Sequence, residues 1–112
     1  MAVIIKKDEL FRTKTGWKFE GMNFNNTNVS FFIIEAKEGE GARLHCHPYE
    51  EVFITLEGKA TFTIGDEVIE KEAGQIVIAP ANIPHKFVNT GKGILKQVDI
   101  HPVSKIIQHN LE

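Results

Sequence analysis

Glycine cuts this chain into short runs, and none of them has the spacing of a helix. Nine glycines are spread through 112 residues, and most separate stretches in which apolar and polar side chains alternate. Alternation puts every second side chain on one face, as in a strand with one buried side, whereas a helix needs apolar residues three and four apart. Glu51 to Leu56 and Lys59 to Ile64 both alternate. Gly65-Asp66 joins Lys59–Ile64 to Glu67–Lys71 as a two-residue hairpin turn with glycine first. Val29 to Ala36, rich in Phe and Ile, predicts a buried strand. Ala42 to His47 is a shorter strand ending at Pro48, and Gln75 to Ala79 another, stopped by Pro80. His85–Asn89 and Gly93–Ile100 predict a second hairpin around Thr90–Lys92. Lys105 to Leu111 fits a last short strand or a single helical turn. About nine or ten short strands at regular spacing predict an all-β sandwich or barrel.

The length suits one domain, 1–112, with an N-terminal strand extension at about 1–28. A composition of 42% hydrophobic and 25% charged residues excludes disorder, collagen and coiled coil. The formal charge is −2 and no basic run exceeds Lys6-Lys7, so no basic face is available for nucleic acid. No apolar run approaches the roughly 20 residues of a membrane helix. Met1 to Ile5 lacks the features of a signal peptide. Cys46 has no second cysteine to pair with, which fits a reducing, cytoplasmic setting. The sequons at Asn25 and Asn28 then go unused.

Three histidines and a glutamate carry the chemistry. His45 and His47 are two apart on a predicted strand, so both imidazoles aim at one face. Glu51 heads the next strand, and His85 opens a distant one after Pro84. Two or three neutral imidazoles with one carboxylate suit a divalent transition ion such as Zn, Fe, Ni, Mn or Cu. Four protein ligands in an octahedral field leave two adjacent positions for water or a chelating substrate.

At these residues the sequence resembles the cupin superfamily. Gly39, His45, His47, Glu51 and Gly58 match every spacing of the first cupin motif. Gly74, Pro80, His85 and Asn89 match the second, with Asn82 where the family has glycine. That glycine needs positive φ, and Asn is among the residues that best tolerate it. The resemblance implies a double-stranded β-helix, or jelly-roll, barrel of the small single-domain type. It also implies His45, His47, Glu51 and His85 as the metal ligands. Glu50 is the competing carboxylate, but it lacks the motif spacing and falls in a turn.

Phe53 and Phe87 are expected on the cavity wall, with Phe31, Phe32 and Phe62 more simply core. Gln97 is a further candidate for substrate binding. It shares a strand face with Asp99 and His101, for which solvent exposure is the default expectation and a polar pocket wall, or a layer supporting the metal ligands, the alternative. Cys46 points away from the flanking histidines, and His109 is expected at the surface. Trp17 and Phe19 lie on an early strand that a small barrel can leave free to pair across a two-fold, which predicts a homodimer. The resulting expectation is a metal-dependent enzyme acting on a small oxygen-rich molecule, with dioxygenase the leading class. A non-catalytic binding or sensing cupin and a Lewis-acid isomerase or epimerase are the alternatives. The chain as given carries no DNA-binding segment, which disfavours a direct transcription-factor role. No proton-transferring base stands out beyond the four ligands.

Overall fold

The computed structural model describes residues 2–112, so Met1, which opens both the 1–112 domain and the start searched for a signal peptide, lies outside the described residues. Eleven strands occur among them: β1 (Phe11–Thr13), β2 (Gly16–Glu20), β3 (Ser30–Ala36), β4 (Gly41–Cys46), β5 (Glu51–Glu57), β6 (Lys59–Ile64), β7 (Glu67–Glu72), β8 (Ile76–Ala79), β9 (His85–Asn89), β10 (Leu95–His101) and β11 (His109–Asn110). Two 3-10 turns, Lys7–Glu9 and Gly21–Asn23, are the helical content. One sheet runs β1-β2-β3-β10-β5-β8 and the other β11-β4-β9-β6-β7, with antiparallel pairing throughout. This is the expected jelly-roll barrel.

Alternation sets the core. Glu51, Phe53 and Thr55 of β5 are buried while Val52 and Ile54 between them are only half-buried. Ile34, Ala36, Phe53, Phe62, Phe87 and Leu95 form the centre of one apolar cluster drawn from both sheets. Truncating a buried phenylalanine such as Phe62 to alanine costs about 3–5 kcal/mol, because the cavity left behind relaxes only partly.

The Gly65 hairpin forms as expected, with Gly65 at φ 57°. The second expected hairpin does not. β9 pairs with β4 and β6, whereas β10 pairs with β3 and β5 in the opposite sheet. The Asn89 amide donates to the carbonyls of Ala36 and Gly93, which ends the ladder and turns the chain across the barrel. Gly58 makes the same kind of crossing between β5 and β6. Its φ is 88°, and a Cβ there would meet the Ile94 carbonyl oxygen at 2.7 Å.

The early strand also departs from expectation. β2 lies between β1 and β3, so Trp17 and Phe19 are not on a free edge. Phe19 stacks between Phe24 and Phe31, and Trp17 lies under Lys7 and Arg12. The homodimer expectation loses the strand on which it was based. Lys105 to Leu111 supplies β11, which pairs with β4 at His45 and Cys46.

Candidate metal centre

Strand register brings the histidines together. His45 of β4 pairs directly with His85 of β9, and their ring centroids are 4.4 Å apart. His47 follows β4 on the same face, 4.9 Å from the His45 ring. Glu51 comes in from the head of β5 in the facing sheet. The four side chains are buried, and their ligand atoms lie within 4.8 Å of one another. Glu50 is exposed.

The backbone orients each imidazole. His45 Nδ1 is 2.5 Å from the Arg43 carbonyl oxygen, His47 Nδ1 is 2.7 Å from that of Ile107, and His85 Nδ1 is 3.0 Å from that of Ile83. A carbonyl only accepts, so each Nδ1 carries a proton, and Nε2 is the nitrogen turned inward, where it can offer a lone pair to a cation. His85 Nε2 lies 3.0 Å and His47 Nε2 3.1 Å from Glu51 Oε1. His47 Nε2 is also buried without an aligned hydrogen-bond partner. Lone pairs facing a carboxylate oxygen repel unless a cation sits among them. An orphaned imidazole nitrogen beside a borderline-hard donor set therefore fits a divalent transition ion.

The electrostatics agree with that reading. Burial pushes His45 down from its ordinary value, only partly opposed by its hydrogen bond to Arg43, which favours the neutral, ligating ring. Burial works against the Glu51 carboxylate, but hydrogen bonding to it, from His101 foremost, outweighs burial and holds Glu51 well below the usual range.

His101 has the opposite tautomer. Burial pushes the Tyr49 hydroxyl up to about 12, so it stays a phenol and can donate to His101 Nδ1 at 2.8 Å. His101 Nε2 then carries its proton towards Glu51 Oε2 at 3.1 Å. It supports the carboxylate rather than joining the ligands. Asp99, pushed up from its ordinary value by burial and then by repulsion from Glu51, lines the cavity over the centre.

That cavity is about 420 Å³, a size suited to a small ligand. Phe32, Ile34, Phe53 and Phe87 form its apolar wall, and His45 and Glu51 lie at its inner end. Phe53 and Phe87 line it, and so does Phe32, which was expected in the core. Gln97 lies behind the wall, bonded to Thr55 Oγ1 and donating to Asp99 Oδ1 at 2.8 Å.

A cupin domain model matches residues 32–101. The chain belongs to the cupin family. It is 29% identical over 104 residues to the HTH-type transcriptional regulator PuuR of Escherichia coli, an alignment covering 88% of this cupin and 56% of the regulator. The chain spans about half the length of the curated relatives it matches. Among solved structures, an oxalate decarboxylase formate complex from Lactobacillus farciminis superposes with TM-score 0.82 at 21% identity, over 93% of this chain and 34% of that one. The Bacillus subtilis oxalate decarboxylase, described with Mn(II) centres, gives TM-score 0.78 at 20% identity, over 91% and 29%. At these identities the superpositions speak for the fold.

Two of this cupin's site residues depart from the default sequence reading and follow its alternative. Asp99 and His101 were expected in solvent, yet the Gln97-Asp99-His101 face is buried and the intervening Val98 and Ile100 are only half-buried. The inward face of β10 is polar because it borders the ligand cluster. The available signal was its strict alternation, which shows a two-faced strand but not which face turns inward. No helix among the described residues is long and apolar enough to cross a membrane.

Proposed function

We propose that this cupin binds one divalent transition ion through His45, His47, Glu51 and His85 and acts as a metal-dependent enzyme on a small oxygen-rich molecule. The reading is carried by the three imidazoles whose Nδ1 atoms are fixed by backbone carbonyls, with the Nε2 atoms of His47 and His85 turned towards Glu51 Oε1 and all four ligand atoms within 4.8 Å of one another. A bound ion would supply Lewis acidity and, if redox-active, access to O₂. Dioxygenase chemistry is the leading class.

The protein's own groups have separate parts. His101 keeps Glu51 Oε2 occupied, which leaves Oε1 for the ion. The phenylalanine wall excludes water around the substrate body. Asp99, a buried carboxyl lining the same cavity, is placed to hold or hand over a proton to a substrate oxygen. The Mn(II) centres of the Bacillus subtilis oxalate decarboxylase make Mn the first ion to load. Oxygen uptake by the Mn-, Fe- and Ni-loaded protein with enediols, diketones and flavonol-like compounds tests the proposal. Metal- and substrate-dependent uptake supports it. Conversion of substrate without uptake moves the function to a Lewis-acid isomerase or epimerase.

One observation favours a second reading. The alignment with a transcriptional regulator covers 88% of this chain, which fits a ligand-sensing domain. Tight binding with no turnover under any metal would select it.

A further inference from the structure

The cavity has an inner end, a middle and a rim of different chemistry. Its inner end is the His–Glu cluster and its middle is the phenylalanine wall. Its rim comes largely from outside the matched cupin core of residues 32–101. One side of the rim is the turn between β1 and β2, and the other is the C-terminal segment around β11.

Two cations stand on this rim. Lys14 occupies the tip of the β1–β2 turn, which is held in place by Arg12 donating to the Thr13 and Gly16 carbonyls and by Glu35 N–H donating to the Thr15 carbonyl. Arg43 lies on β4 where the register with β9 slips between Ala42 and His45. Such a bulge re-aims a side chain next to a site, and Arg43 is exposed while His45, two residues on, is buried. Among the described residues neither Lys14 nor Arg43 forms an ion pair. The acid on the same rim, Glu112, is already engaged, accepting from Leu44 N–H at 3.0 Å and facing Lys86 Nζ at 3.5 Å. Thr13, whose hydroxyl is buried without a partner, stands beside Lys14.

We infer that the cavity selects organic acids built in three parts: oxygen donors at the inner end, an apolar body between the phenylalanines, and an anionic group at the rim read by Lys14 and Arg43. The inference rests on the metal-centre reading for its inner end and adds the substrate's charge and polarity. Rim charges act through solvent, so their effect on binding is moderate and sensitive to salt.

The test is calorimetric titration of the Mn-loaded protein with 3,4-dihydroxyphenylacetate and with its methyl ester, which matches it in donors and body but lacks the charge. Metal content is measured on every sample. The acid is expected to bind about three- to tenfold more tightly at low salt, with the gap closing in high salt and in the Lys14→Gln, Arg43→Gln double variant. Equal affinity of acid and ester for the wild-type protein overturns the inference. So does failure of both to bind a fully metal-loaded protein, although the metal centre then stands. A protein that takes up no metal overturns the proposed function and this inference together.

Discussion

His101 Nε2 lies 3.1 Å from Glu51 Oε2, while His47 and His85 both meet Oε1 of the same carboxylate. One oxygen is therefore committed to support and the other to the ligand cluster. Removing the support in His101→Ala should weaken metal binding about 10- to 100-fold, the usual cost of losing a group that orients a ligand. His101→Gln, which keeps an N–H donor, should recover part of the loss. Competition titration against a chromophoric chelator reads both. Unchanged affinity in His101→Ala would remove His101 from the site.

The two neighbouring glutamates should behave differently. Glu51→Gln, like His47→Ala or His85→Ala, should leave the purified protein with little metal, and Glu50→Gln should leave content unchanged. Elemental analysis decides between them, and the reverse result would reassign the carboxylate. Affinity should also fall with acid, at a pH below the ordinary imidazole range for His45 because burial lowers it, since a protonated ring cannot ligate.

Lys71 makes the stability depend on alkaline pH. It is buried on β7, its ammonium donating to the Phe53 carbonyl at 3.2 Å over the Phe62 ring. Burial pushes it down to about 8, against the pull of Asp99. In the unfolded chain a lysine titrates near 10.4. The unfolded state therefore binds more protons between these values, and stability rises with pH through that window. The thermal midpoint should climb from pH 8 to 10, and Lys71→Met should abolish the climb and raise stability at pH 7. A flat wild-type profile would contradict the buried-ammonium account.

Asn82 sits at φ 66° and its N–H donates to the His47 carbonyl at 2.7 Å. Asn82→Ala forces a β-carbon into the left-handed region and should cost about 1 kcal/mol. Asn82→Gly should be close to neutral. Urea denaturation measures both, and an alanine variant as stable as the glycine variant would show that φ is not the constraint there.

The chain's local chemistry made much of this architecture readable in advance. Lys59–Ile64, Gly65-Asp66 and the return strand could be read directly, since a two-residue turn fixes its own register. The four clustered side chains could be read too, because His45 and His47 share a strand face and the spacing to Glu51 and His85 is distinctive. What escaped was non-local. The sequence of β9 and β10 does not reveal that Asn89 ties back to Ala36 and sends the next strand to the other sheet. Nor does the alternation of Gln97, Asp99 and His101 say that a polar face is the inner one. The Ile107 carbonyl that orients His47 comes from 60 positions away through a backbone atom, which leaves no trace in residue type.

Anomalous diffraction from a crystal grown with a transition ion tests the central claim most directly. A single strong peak is expected about 2.0–2.2 Å from the Nε2 atoms of His45, His47 and His85 and from one Glu51 oxygen, with His101 outside the coordination sphere. No peak among those side chains under saturating metal, or a peak held by other residues, would contradict it.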